Sequence, residues 1–322
     1  MAVPLLLLVP LLLLAIVLGI SALLAATHRL TFRIAMRNVR RGGSRTVLVI
    51  LGLLVGTTII SGSLVVGDTV NAVSVHGTYL AYQGVDEAIY NQSLVTGGYQ
   101  FVPYSTYLTI AHAALRDPGV SAVTPMILGS ATAFDRTTGL PQPGLNLVGV
   151  DPNSSGALGA FHDDGGAVVN GPNPGSVILD DVAASDLNAS VGDHVLLVGL
   201  TTVPLTLQAI VSDNDRGLFL FGSDAFVDVA DAQAIENVSG GVNFIAVTNT
   251  GGAIDGAANS ANVSTSLNTT LAGLGFSSTL TVHDWLANNL AVAVQSGSSL
   301  TTLFLVLGLF SIVAGAMLIV GI

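Results

Sequence analysis

The chain has 322 residues, of which 51% are hydrophobic and only 9% charged, and its mean hydropathy is +0.73. An ordinary soluble domain has about 25% charged residues, so this composition favours a membrane protein. The sequence contains neither Cys nor Lys. This excludes disulfide bonds, thiolate metal sites and a Walker A loop, whose lysine must reach the nucleotide phosphates.

Positive and negative charges lie in different parts of the chain. Residues 1–67 carry six Arg and no acid (+6), whereas residues 68–322 carry three Arg and twenty acids (−17), which together give −11. Because short cytoplasmic loops gather Arg and Lys, the segment from Thr27 to Arg45 is predicted to be cytoplasmic. The residues that predict this topology are Arg29, Arg33, Arg37, Arg40, Arg41 and Arg45.

Three apolar segments are long enough to cross a bilayer, which takes about 20 residues. They run from about Val3 to Ala26, from Thr46 to Val66 and from Leu300 to Ile322. A cleaved signal peptide is the alternative for the first segment, but its apolar core is long and no basic residue precedes it. With the basic loop inside, the N-terminus faces outward and residues 68–297 form an external domain.

The basic segment has the periodicity of an amphipathic helix. Five of its arginines fall within one arc of a helical wheel, and Phe32, Ala35, Met36 and Val39 lie opposite. A helix of this kind lies at the headgroup level and binds anionic lipid. The alternative is that these arginines only set the topology.

Small residues recur in the second and third apolar segments. Gly52 and Gly56 form a GxxxG pattern, and Gly315 lies near one face of the last helix. Small residues allow helix backbones to approach closely in a membrane, so these three glycines are candidate helix-packing positions.

The external segment alternates between strand and helix patterns. Short β-branched runs predict strands, and longer polar–apolar segments predict helices. The fold class is therefore α+β or mixed α/β, and about 230 residues are enough for two subdomains. The predicted strands are Gly144–Val150, Ser176–Leu179, His194–Val198, Leu205–Val211 and Phe244–Thr248; the helices are Tyr107–Leu115 and Ala253–Leu274; and Pro152 to Pro174 is a predicted loop.

Catalytic and metal-binding patterns are absent from the sequence. The six His residues are scattered without a paired ligand spacing, and no nucleophile has a base at a readable spacing. No catalytic residue, metal site or bound cofactor is expected, and the chain is not expected to be an enzyme.

Several short motifs occur in one order. The stretch from Phe32 to Arg41 precedes the second apolar segment, and LRDPGVSAVTP begins at Leu115. LVGVDP begins at Leu147, and VILDDVAASDL at Val177 is followed by VGDHVLL at Val191. In this order they resemble the MacB/FtsX-like permease family of ABC transporters over about residues 29–322. Two departures are an extra N-terminal span and an apparent C-terminal truncation.

Together with the apolar and basic segments, the resemblance predicts five regions: an N-terminal transmembrane helix (1–27), a cytoplasmic basic amphipathic helix (28–45), a transmembrane helix (46–67), an external MacB-like core domain of two subdomains (68–297), and a transmembrane helix that starts the FtsX-like permease domain (298–322). It also implies a multi-pass protein of the cytoplasmic membrane. Expected partners are a cytoplasmic ABC ATPase that binds the ATP, a second permease copy and anionic lipid, but no nucleic acid.

The implied function is the relay of ATP-driven motion to the external domain for export, lipoprotein or peptide extrusion, or hydrolase activation. The alternative is a membrane-anchored surface or sensor protein that binds an extracellular ligand without ATP coupling.

Overall fold

A computed structural model describes Arg33, Arg37 and residues 43–82, 84–91, 98–152, 161–163, 165–212 and 223–320. Contacts between residues divide the chain into two compact units. One unit is Val70–Gly297, and the other comprises Met1–Thr69 and Ser298–Ile322. The predicted span from Val3 to Ala26 lies outside the described residues.

Two long helices each have residues in both units. Helix α1 is Gly43–Tyr82, and it contains the predicted span from Thr46 to Val66. The other long helix, Trp285–Val320, contains most of the predicted third span. Within the described residues, no helix combines the length and the apolar character needed to cross a membrane. The three spans therefore stay a prediction.

The unit of residues 70–297 is built on a mixed sheet with short helices on it. In chain order its elements are β1 (Glu87–Tyr90), β2 (Val102–Pro103), α2 (Tyr104–Ala114), β3 (Val120–Asp135), β4 (Pro141–Val150), β5 (Phe161–His162), β6 (Val168–Val169), β7 (Ser176–Asp180), α3 (Asp181–Leu187), β8 (His194–Val198), β9 (Thr202–Val211), β10 (Asp224–Asp228), α4 (Val229–Ile235), β11 (Gly241–Val242), β12 (Phe244–Asn249), α5 (Gly252–Gly273), β13 (Thr281–Asp284) and α6 (Trp285–Val320).

Nine strands form one sheet in the order β13-β1-β12-β3-β4-β10-β7-β9-β8. The pairs β10–β4 and β7–β9 are parallel, and the other pairs are antiparallel. Strand β3 is 16 residues long and pairs along one edge with β12 through its first half and with β8 through its last residues. Six strands from β3 to β8 therefore close into a ring, and β12, β1 and β13 extend the sheet beyond it.

Three apolar cores pack on this sheet, one of them around the buried Phe226 and Phe244. Helices α3 and α4 pack against the ring, where Leu147, Leu179 and Ile235 are fully buried. Helices α2 and α5 cover the open part around Ile110, Val247 and other buried residues. An Asp residue precedes each of the short helices α3 and α4, and its side chain accepts a hydrogen bond from a backbone N–H of the first turn. This bond satisfies a donor that the helix itself cannot pair.

The mixed α/β class predicted for the external segment is confirmed. The predicted strand His194–Val198 has the same bounds in the structure, and the other predicted strands agree to within a few residues. Both predicted helices form, each shifted slightly toward the N-terminus. The predicted loop from Pro152 to Pro174 is not entirely loop, because it contains the two-residue strands β5 and β6, which pair with each other.

Candidate functional site at the helix–sheet joint

The two long helices join neighbouring strands of the sheet. Helix α1 ends at Tyr82 shortly before β1 begins at Glu87, and β13 runs into α6 without a break between Asp284 and Trp285. Strands β1 and β13 pair antiparallel, with Glu87 directly opposite Asp284. We call residues 82, 84–87 and 284–286, together with Asn249, the joint.

Hydrogen bonds connect the two helix ends directly. The Leu286 N–H donates to the Asp86 carbonyl oxygen over 3.1 Å, and the Val85 N–H donates to the Tyr82 carbonyl oxygen over 2.8 Å. The side chains of Tyr82 and Trp285 are also hydrogen-bonded. The end of α1 and the start of α6 are therefore attached to each other and to the same edge of the sheet.

Two fully buried carboxyl groups, Asp86 and Glu87, lie at the centre of the joint. Asn249, the last residue of β12, binds both. Its backbone N–H donates to Asp86 Oδ2 over 2.7 Å, and its Nδ2 donates to Glu87 Oε1 over 2.8 Å. The same Nδ2 also donates to the Gly256 carbonyl oxygen over 3.1 Å, which ties the carboxyl groups to helix α5.

Helix α5 packs close to the carboxyl groups because Gly256, its residue nearest to them, has no side chain. A Cβ added at Gly256 would lie 3.0 Å from Asp86 Oδ2, which is closer than ordinary van der Waals contact. Ser260, one turn further along the helix, is also buried against Asn249. Glu87, Asn249 and Asp284 share this face of the sheet, because opposite residues and alternate residues of paired strands point to the same side.

The network has more side-chain oxygen atoms than hydrogen-bond donors. Within the described residues, Asp86 Oδ1, Glu87 Oε2, Asn249 Oδ1 and Asp284 Oδ1 are buried and accept no hydrogen bond. Burial raises the pKa of Glu87 to about 7; hydrogen bonds from Asn249 and Ser260 oppose this, and repulsion from Asp86 and Asp284 adds to it. Burial likewise raises the pKa of Asp86 to about 6, against the backbone hydrogen bond from Asn249.

Because burial raises both pKa values, Asp86 and Glu87 keep a proton at higher pH than exposed carboxyl groups do. A protonated carboxyl group is a donor, and the neighbouring oxygens that lack a donor are available acceptors. Among the described residues, no group of three or more His, Asp or Glu side chains has an arrangement that could hold a metal ion.

Aromatic rings cover the opposite face of the joint. The Tyr90 ring stacks on His283 at 4.0 Å and on Phe244 at 5.5 Å between ring centroids. Trp285 packs against Phe244 at 5.0 Å. Burial lowers the pKa of His283, although nearby Asp284 opposes this shift, so a neutral imidazole is favoured in the stack. These stiff side chains hold the first turn of α6 against β1 and β12.

The site residues predicted from the sequence lie outside this joint. Arg33 and Arg37 are helical and exposed, and residues four apart share one helix face. Arg29, Arg40 and Arg41 lie outside the described residues. The backbones of Arg45, Gly52 and Gly56 belong to α1, and that of Gly315 belongs to α6. Their lipid-binding, topological and helix-packing roles stay predictions.

Sequence reasoning missed Asp86, Glu87 and Asn249. The available signal was the pair of acids in GVDEAIY, directly before an apolar strand and without any nearby basic residue. An acid that opens a strand is usually exposed, so burial of both carboxyl groups could not be inferred without the position of α5.

The chain is similar to one protein family and to several solved structures. Residues 46–265 match the family model of the MacB-like periplasmic core domain. The periplasmic region of MacB from Actinobacillus actinomycetemcomitans is similar at 14% identity and a TM-score of 0.45, covering 62% of this chain and 89% of that chain. The extracellular domain of the noncanonic ABC-type transporter YknZ from Gram-positive bacteria is similar at 15% identity and a TM-score of 0.41, covering 62% and 99%. Comparison with curated proteins finds no match.

The family match covers more than half of the chain and defines the class, a membrane protein with an external mixed α/β segment. The chain belongs to the MacB/FtsX-like ABC permease family, which confirms the resemblance seen in the sequence motifs. Members of this family are permease-type components of transporters, and the family implies association with a cytoplasmic ATPase.

Proposed function

We propose that this chain is the transmembrane subunit of a MacB/FtsX-type ABC system and relays ATP-driven motion from a cytoplasmic ATPase to its external domain. The joint carries the proposal. Because α1 leads into β1, α6 follows β13, and both the paired strands and the helix ends are hydrogen-bonded to each other, a displacement of either helix moves the sheet with it. A flexible linker at the same place would absorb the displacement.

The chain depends on a partner for its energy. It has no Lys and so no Walker A loop, and ATP binds to the partner ATPase. The proposal includes three spans, with residues 68–297 outside the cytoplasmic membrane and the arginines from Arg29 to Arg45 against anionic lipid inside. It also includes a second permease copy. The output is export, extrusion of a lipoprotein or peptide, or activation of a hydrolase, and the chain itself is no enzyme.

The family architecture supports this function over a surface sensor that lacks ATP coupling. The test is affinity purification of the full chain from its own membranes, followed by assay of ATP hydrolysis in the purified complex. We expect an ABC ATPase to copurify and its hydrolysis rate to depend on the permease. Recovery of the intact permease without any ABC ATPase would support the sensor and contradict the proposal.

A further inference from the structure

A groove of about 370 Å³ lies on the closed ring of strands, away from the carboxyl network of the joint. Its walls are the middle of β3, the residues that follow β8, and a segment near Tyr99. We call it the β3 groove and define it by Tyr99, Gly129, Ser130, Leu200, Glu236 and Asn243. Its volume is at the lower end of the range for ligand sites in proteins.

The floor of the groove is a gap in the strand pairing of β3. On one edge, β3 pairs with β12 as far as Met126 and with β8 from Thr132 onward. Asn243 fills part of the gap by imitating a neighbouring strand: its Oδ1 accepts the Leu128 N–H over 2.8 Å, and its Nδ2 donates to the Leu128 carbonyl over 2.7 Å.

Ser130 is the next residue of β3, after Leu128, whose main-chain N–H and C=O point to this edge. In an antiparallel strand, the N–H and C=O of alternate residues point to the same edge, so the main chain of Ser130 faces the groove as that of Leu128 does. Ser130 is exposed, and it lies before the first residue that pairs with β8. The open stretch from Gly129 to Ala131 is about 10 Å long at about 3.3 Å per residue.

One carboxyl group lies over the face of β3 beside this open edge. Glu236 follows helix α4, and a Cβ added at Gly129 would collide with its Oε1, so Gly129 leaves room for the acid beside β3. Burial raises the pKa of Glu236. In the part of the chain that the structure describes, no donor or cation binds the Glu236 carboxylate.

Charge and shape together indicate the occupant. The external segment carries twenty acids and only three Arg, and no residue of the groove is basic. A cation from a partner would therefore supply the missing counter-charge for Glu236. Leu200, which is 76% exposed, and the Tyr99 ring offer apolar contact beside the open strand edge.

We propose that the β3 groove binds an extended segment of a partner polypeptide that carries a Lys or Arg. The segment adds a short strand to β3 by hydrogen-bonding to the main chain of Ser130, and its cation pairs with Glu236. Main-chain bonds of this kind provide affinity, and the side-chain pocket provides selectivity. Binding in this groove does not require the relay of motion through the joint, although the Tyr99 ring also contacts Tyr90 and Phe244 of the aromatic cluster there.

The test uses the full chain in detergent and three labelled seven-residue peptides. One is Val-Thr-Val-Lys-Val-Thr-Val, the second has Glu in place of Lys, and the third is the Lys peptide with N-methylated central amides. We expect the Lys peptide to bind saturably in fluorescence anisotropy and the other two to bind at least tenfold more weakly. Equal binding of the Lys and Glu peptides, or no saturable binding, would overturn the proposal.

Two protein variants and one local measurement place the site. Glu236→Gln should weaken binding of the Lys peptide at least tenfold, whereas Asp186→Asn, which removes one exposed acid from α3, should leave it unchanged. Hydrogen exchange should show the amide of Ser130 slowed by the peptide. Unchanged affinity of the Glu236→Gln variant, or exchange at Ser130 that the bound peptide does not slow, would place the peptide elsewhere and contradict the proposal.

Discussion

Replacing Glu87 with Gln should make the stability of the external domain less dependent on pH. Glu87 is fully buried, and its pKa rises from 4.5 to about 7 on folding. Between these two values the folded chain binds a proton that the unfolded chain has released, so the free energy of unfolding falls as the pH rises. The loss is complete by about pH 8, one unit above the folded pKa, and amounts to about 3 kcal/mol for this one group.

Gln reproduces the protonated form of this side chain. Its oxygen can accept the hydrogen bond from Asn249 Nδ2, and its NH₂ group supplies a donor beside acceptors such as Asn249 Oδ1. The variant should therefore gain about 3 kcal/mol relative to the wild type between about pH 4 and pH 8. Asp86 still titrates in the variant, so some dependence on pH remains.

The chain offers a local probe for this measurement. Trp285 is its only Trp and packs against Phe244 in the joint, so its fluorescence during urea unfolding reports on this region. The free energy of unfolding is measured at about pH 4 and about pH 8. For the matched control, Asp186→Asn, it should differ from the wild-type value by less than about 0.5 kcal/mol at both pH values. An equal effect of Glu87→Gln at both pH values would show that Glu87 is not protonated on folding and would refute the reasoning.

Three further predictions concern the joint, the ring and the basic segment. Asn249→Leu should destabilise the fold by about 3 kcal/mol in the same urea assay, because Glu87 and the Gly256 carbonyl lose a buried donor. Gly149→Ala should cost about 1–3 kcal/mol, since the new Cβ would lie 2.5 Å from that of Ala232, whereas Gly273→Ala meets open space and should cost little. A variant in which Gln replaces four arginines should reverse or mix the membrane orientation, which protease access to the external domain measures. The replaced residues are Arg33, Arg37, Arg40 and Arg41.

The elements of the external domain could be predicted largely from local patterns. Short apolar runs that contain β-branched residues marked strands such as His194–Val198, because strand formation follows the burial of one face. The pairing order could not be predicted in the same way. It depends on contacts between residues far apart in sequence, such as Glu87 with Val247 and with Asp284.

Both sites depend on those distant contacts. The carboxyl network needs Asn249 and Gly256 beside Asp86, more than 160 residues further along the chain. The β3 groove needs Asn243 opposite Leu128 and Glu236 opposite Gly129. Each of these residues is unremarkable by itself in the sequence, so only the fold identifies it.

The central claim is that the joint passes motion from the helices to the sheet, and softening the joint tests it most directly. A Gly-Ser-Gly-Ser insertion between Asp284 and Trp285 would separate β13 from α6. The control places the same insertion after Gly139, in the exposed turn between β3 and β4, where nothing lies within 4 Å of an added Cβ. Because the chain has no native Cys, Leu200→Cys gives a single labelling site for a donor dye.

Energy transfer from this dye to acceptor lipids in nanodiscs measures how the external domain moves over the membrane when ATP is added to the permease–ATPase complex. We predict an ATP-dependent change in transfer for the chain with no insertion and for the Gly139 insertion. The insertion at the joint should abolish the change while the ATPase stays bound. An unchanged ATP response with the softened joint would contradict the account.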